Sequence, residues 1–388
     1  MLQLLLGGSG SGKTMLLYQR IRARAEKGEK SILLVPEQFT SSTEGRIYRE
    51  LGDALSGMVE SFSFTSLAEK ILSTEGGAAV QTLSDAGRAV LVRRALEELQ
   101  DNVHYYHRHR RSAAFCQMAA QTIDELKSAG LSGQQLAQLA GACGAESGKL
   151  SELALIFQGY ETLLARSGMD PSDRLELAGA RLEEALARHS LPEFLRDRAV
   201  FIDEFDTFNA PKKRLLGAML AALPSVTVAL CDDGAPLLPG DLSLFSGAKQ
   251  VAAQLRQLAR KNGAEVAVPQ LLRKDLRHRN APGLAAVAEL LETGSCTADA
   301  PAGEVRLFAA PSREEEARAA ACAIRRLMRQ GVRCGKIAVV CRDIAKYRAA
   351  VRYEFRMAEI PLYCDEPTTP EFLSLIHISE PTRLDVIS

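Results

Sequence analysis

The chain has 388 residues, 46% hydrophobic and 25% charged, a globular composition with room for two or three domains. Its 48 basic and 48 acidic side chains cancel, which excludes a general positive field, so any grip on nucleic acid must come from local patches. Eight cysteines never fall at CxxC or another close metal spacing, which argues against a zinc or iron–sulfur site and suits the reducing cytosol; nothing resembles a signal peptide or a membrane-spanning apolar run.

The first element is a short apolar run, Leu2, Leu4, Leu5 and Leu6, leading directly into Gly7-Gly8-Ser9-Gly10-Ser11-Gly12-Lys13-Thr14. That octet matches the phosphate-binding loop GxxxxGK(S/T) in full, a pattern expected by accident in about one chain in a hundred of this length. Glycines let successive N–H groups turn inward toward phosphate oxygens, and a following helix offers its positive dipole end. On this pattern Gly7 through Thr14 bind ATP, Lys13 reaches the β and γ phosphates, and Thr14 ligates Mg²⁺. Leu16, Leu17, Ile21 and Ala25 supply the helix at the right spacing, with Gly28 as its stop. Ser31 to Val35 reads as a second buried strand, so residues 1–35 form one βαβ unit of a parallel sheet.

Ser61 to Phe64, then Leu67, Ile71 and Leu72, predict a further strand and helix. From Asp85 to Ala187 the pattern is mostly helical, with breaks near Gly130, Gly141 to Gly148 and Gly168 to Pro171, and reads as an all-α insertion. Within it, His104 to Arg111 interleaves rings with arginines, a combination that suits a nucleic-acid backbone and bases but more often marks a solvated connection.

Ala199 to Ile202 returns as a strand ending in Asp203, Glu204, Phe205 and Asp206. Adjacent carboxylates at a strand's end fit a Walker B element: Asp203 holds the Mg²⁺ shell and Glu204 polarises the attacking water, so these two are the candidate catalytic residues and Asp203 with Thr14 the metal set. Capping of the next helix is the competing reading. Lys212, Lys213 and Arg214 then suit an exposed helical turn or a basic contact. Val226 to Leu230 predicts another strand, and Asp232 and Asp233 after it fit either a simple loop or a γ-phosphate sensor. Glu304 to Phe308, a charged helix over Arg313 to Gln330, and Lys336 to Val340 predict the start of a second α/β unit. Arg342 follows that last run, and its fork suits nucleotide phosphate approached from across a domain cleft, although a lone arginine there is more often a surface residue.

Several segments together resemble a known family: Leu34 to Thr40, Thr122 to Lys127, Met169 to Asp173, Val200 to Phe208, Ile337 to Asp343 and Ile360 to Asp365. They occur in the order seen in the B subunits of bacterial AddAB-type ATP-dependent helicase/deoxyribonucleases. The resemblance implies an α/β P-loop NTPase fold of the superfamily 1 helicase type, a RecA-like parallel sheet with an all-α insertion and the start of a second α/β domain. The implied divisions are 1–84 and 191–300 for the first motor domain, 85–190 for the insertion, and 301–372 for the second domain. It further implies a cytoplasmic heterodimer with an A subunit, acting on double-stranded DNA ends and single-stranded DNA for recombinational repair, with Pro36 to Thr40 in an early DNA-contacting loop. The family tends to place a small residue after the strand-end aspartate, where this chain has Glu204. A P-loop kinase or small-molecule NTPase is the alternative, but needs neither the insertion nor the second unit; a nucleotide-binding scaffold is a third.

Residues 373–383 look like the translation of a sequencing-library adapter. The native sequence is therefore expected to stop near Phe372, with 373–388 artefactual. The family's nuclease carboxylates and iron–sulfur cysteines are then expected in a missing C-terminal region.

Overall fold

A computed structural model describes the chain except for residues 78–81, 100, 143, 145–146, 296–303 and 365–388. The adapter-like tail lies outside the described residues. Two compact units are present, Met1–Pro301 and a second from Ala302 onward.

The first unit runs β1 (Leu2–Gly7), α1 (Lys13–Ala25), β2 (Ser31–Leu34), α2 (Thr40–Leu51), α3 (Asp53–Ser56), β3 (Val59–Phe62) and α4 (Phe64–Glu75). A helical run follows: α5 (Asp85–Glu98), α6 (Ala113–Ser128), α7 (Gly133–Ala140), α8 (Ser147–Ser167) and α9 (Pro171–Ala187). The sheet then resumes with β4 (Ala199–Ile202), α10 (Ala210–Ala222), β5 (Ser225–Cys231), α11 (Ser246–Lys261), β6 (Gln270–Leu272) and α12 (Pro282–Thr293).

The six strands form one all-parallel sheet in the order β3-β2-β4-β5-β1-β6. Its strands are covered on both faces, and successive side chains alternate between two cores. Leu4, Leu6, Ile32, Leu34, Val200, Ile202, Val226 and Val228 enter one core with α4, α9, α10 and α11, whereas Leu5, Leu33, Phe201 and Ala229 enter the other with α1 and α2. Helices α5, α6 and α8 share a separate core around Leu96, Ile123, Phe157 and Tyr160. By contrast α9 presents Leu175, Ala178 and Leu182 to the sheet core. Lys127 of α6 ties the two together: its Nζ lies 2.8 Å from Asp170 Oδ2 and 2.7 Å from Asp173 Oδ2, and the Tyr160 hydroxyl donates to Asp170 Oδ1 at 2.6 Å.

The second unit packs α13 (Arg313–Arg329) against α14 (Ile344–Met357) through Ala321, Ile324 and Phe355. The strands expected at Glu304 to Phe308 and Lys336 to Val340 are not formed. A β ladder requires a hydrogen-bonded neighbour, and no strand is present among the described residues of this unit. Leu307 and Val340 are almost fully exposed, while Ile337, Ala338 and Val339 line an apolar cavity of 690 Å³.

Candidate functional site

All six strands point the same way, so their carboxyl ends share one edge, where ligands of open α/β sheets bind. Register fixes what meets there: Gly7 pairs with Cys231, and Leu34 with Ile202. The loop after β1 and the acids after β4 thereby border one cleft of about 530 Å³, lined by Ser9, Gly10, Lys13, Thr14, Asp203 and Glu204 among others.

The loop's glycines are required by space and conformation. Gly10 and Gly12 have φ of 81° and 91°, the left-handed region that favours glycine. A Cβ on Gly7 would lie 2.4 Å from Ser11 Oγ and 2.7 Å from the Leu272 carbonyl oxygen. Helix α1 begins at Lys13 with no side-chain cap on its first turn, whereas Ser63, Ser84, Ser112 and Ser132 cap α4 to α7. Its leading N–H groups, which a serine satisfies elsewhere, are left for an external acceptor. Lys13 Nζ donates to the Gly7 and Gly8 carbonyls at 2.7 and 2.8 Å, bringing the ammonium over the loop. Burial holds the Lys13 pKa below the usual lysine value, against the nearby Cys231 and Asp203. Ser11 Oγ is buried without a hydrogen-bond partner.

Asp203 is 6% exposed, accepts from the Glu204 backbone N–H at 3.0 Å and lines the same cleft as Thr14. Burial pushes its carboxyl up, partly offset by the Thr14 side chain and the Glu204 N–H. Glu204 is exposed; partial burial and the neighbouring Asp203 push it up as well. Thr14 and Asp203, hydroxyl against carboxylate, form a hard-oxygen pair suited to Mg²⁺. The uncapped helix, the glycine cradle and this pair fit a magnesium-bound nucleoside triphosphate.

Two cleft residues carry no signal in the sequence. Arg277 lies in the loop after β6, and its Nη1 donates to Ser9 Oγ at 3.2 Å, while Leu276 N donates to the Gly10 carbonyl at 3.0 Å. Arg46 projects from α2, its guanidinium 5.1 Å from the centre of the Tyr18 ring. Strand β6 has only three residues, too few for a periodic pattern, and a single arginine has no local signature.

The remaining candidates fall into place individually. Pro36 to Thr40 lead from β2 through a 3₁₀ turn over Glu37–Phe39 into α2. Asp232 and Asp233 close their own turn, accepting from Gly234 N at 2.7 Å and Ala235 N at 2.8 Å, and Asp233 also pairs with Lys249. In the His104 to Arg111 stretch the Glu152 carboxylate accepts from three successive backbone N–H groups, His104 to Tyr106, and Tyr106 packs on Phe115. Lys212 lies over the rings of Phe64 and Phe205, whereas Arg214 is held by Glu176 and Glu183. Arg342 belongs to the second unit and is exposed just before α14. Among the described residues no group of histidines, cysteines and acids could hold a metal, and no helix is long and apolar enough to cross a membrane.

Residues 4–288 match the family described as "ADDB, N-terminal". The chain is similar to the B subunit of the ATP-dependent helicase/deoxyribonuclease of Desulforudis audaxviator, 34% identical over 94% of this chain and 32% of the relative. It is similar also to the corresponding B subunits of Symbiobacterium thermophilum, 32% identical over 97% of this chain and 33% of the relative, and Moorella thermoacetica, 32% identical over 94% and 32%. The chain thus spans about a third of the length of the curated relatives it matches.

Proposed function

The chain belongs to the family of AddB N-terminal regions, and on that premise we propose that it is the ATP-binding, helicase-like part of a heterodimeric ATP-dependent helicase/exonuclease that processes double-strand DNA ends for recombinational repair. The observation that carries the nucleotide reading is the meeting of Lys13 and Thr14, at the start of α1, with Asp203 at the end of β4. Bound ATP would supply the phosphoanhydride whose cleavage the complex uses.

In this reading Gly7 to Gly12 present backbone N–H groups, and Lys13 exchanges its two carbonyl acceptors for phosphate oxygens. Thr14 and Asp203 hold Mg²⁺, with Asp203 ionised to do so, and Glu204 orients and polarises water. These assignments make the fold a P-loop NTPase of the superfamily 1 helicase type, with residues 1–84 and 191–300 as the first motor domain, 85–190 as its insertion and 301–372 opening the second. Arg342 is assigned to the nucleotide through its planar fork. The A subunit, double-stranded ends and single-stranded DNA are the proposed partners, Pro36 to Thr40 lie in the DNA-contacting loop, and the cytoplasm is the proposed site of action. The family's iron–sulfur cysteines and nuclease carboxylates are assigned to none of the residues described. A stand-alone kinase is disfavoured by the family match across the helical segment.

The test is an equilibrium titration of the chain with Mg²⁺-ATP. Lys13→Ala should weaken binding by about 1.5–3 kcal/mol, the scale of a charged hydrogen bond. Unchanged affinity would remove the phosphate-loop assignment.

A further inference from the structure

Arg46 stands out among the arginines of the first unit. Arg20 is bound by Gln3 and Gln270, Arg88 by Asp85 and Asp124, Arg198 by Glu60, and Arg214 by Glu176 and Glu183. The Arg46 guanidinium is half-buried and lines the nucleotide cleft, yet it rests on the Tyr18 ring without a hydrogen-bond acceptor among the described residues. A planar fork of five donors held by stacking and left unpaired in a cleft is a preformed receptor for a planar or tetrahedral oxyanion.

Its position within the cleft narrows the ligand. The cleft wall carries three cations, Lys13, Arg46 and Arg277, and three carboxylates, Asp203, Glu204 and Asp206. Lys13 and Arg277 both bond to the loop, at Gly7, Gly8 and Ser9. Arg46 comes instead from α2, beside Tyr18 of α1, and its charge acts on Asp203 and Glu204. A terminal phosphate beside two carboxylates is repelled unless a cation compensates them, and Arg46 is the lining cation that no bond ties to the loop.

We propose that Arg46 is a specificity-determining residue that recognises the terminal phosphate of a nucleoside triphosphate and so distinguishes triphosphate from diphosphate. The inference rests on the proposed nucleotide site and adds a residue to it. Arg46 stands on the helix entered directly from Pro36 to Thr40, so the nucleotide's phosphate count is read by the helix that follows that loop.

The test compares binding of Mg²⁺-AMP-PNP and Mg²⁺-ADP to the full chain and its Arg46→Ala, Arg46→Lys and Lys13→Ala variants, with thermal melting as the check on folding. Arg46→Ala should lower the preference for AMP-PNP over ADP by about tenfold or more, the scale of a charged hydrogen bond, and leave ADP affinity within about twofold. Arg46→Lys keeps the charge without the fork and should recover part of that preference. Lys13→Ala should weaken both nucleotides. If Arg46→Ala does not fold, Arg46→Lys decides by showing a severalfold reduced preference or none. An unchanged AMP-PNP to ADP ratio in folded variants overturns the role of Arg46 alone, whereas a wild-type chain that binds neither nucleotide overturns the site and this role together.

Discussion

Glu204 sits at φ 65°, in the left-handed region, one position after the buried Asp203. A side chain with a Cβ costs about 1 kcal/mol or more there, and glycine does not. Only glycine would escape that cost, and this chain keeps a carboxylate at the cleft despite it. Tyr18, the ring under Arg46, is 6% exposed. Burial pushes its hydroxyl pKa up to about 12, with the Arg46 guanidinium working in the opposite direction. The folded state therefore keeps a proton that the unfolded chain releases above about pH 10. Fewer protons bound in the unfolded state means stability falls as pH rises from about 10 toward about 12. Melting temperatures across that window should decline more steeply for wild type than for Tyr18→Phe; parallel declines would show that Tyr18 does not carry the effect.

At the scale of elements, the start of α1 and the start of α9 were legible to different degrees. The glycine run before Lys13 announces a turn that only small residues can make, and the structure meets it with positive φ at Gly10 and Gly12. The segments Thr122 to Lys127 and Met169 to Asp173 contribute to the family resemblance, but their sequences do not say that they touch. Packing joins them, because Asp170 is 1% exposed and needs the Lys127 ammonium. Lys127→Ala leaves a buried carboxylate unpaired and should destabilise the first unit by about 3 kcal/mol, read from urea denaturation. Lys127→Ala combined with Asp170→Asn should recover part of that loss; equal loss in the single and double variants would show that the pair is not the cause. The unformed strands near residues 304 and 336 mark the opposite case. Their apolar runs satisfy the sequence pattern of a strand, but a strand exists only when a neighbour accepts its hydrogen bonds.

For the molecule as a whole, the first unit has its own sheet cores and a separate helical core, enough buried surface to fold without the second. Residues 1–301 expressed alone should unfold cooperatively and bind Mg²⁺-ATP, as judged by circular dichroism and titration. Arg342 supplies the comparison: if its fork contributes to nucleotide binding, Arg342→Ala in the full chain and removal of the second unit should each weaken ATP by about tenfold. A shortened chain that binds like the full chain would withdraw that assignment. The sequence by itself determined the βαβ start, the phosphate-loop pattern, the strand-end acids and the helical run, because each is a local spacing that backbone geometry translates directly. It also carried the family, through motifs in a fixed order. Only the tertiary structure decided that Thr14 and Asp203 border one cleft, that Arg46 and Arg277 line it too, and that α9 packs on the sheet. Those contacts depend on parallel register and helix packing between residues far apart in the chain, where no local pattern specifies the neighbour.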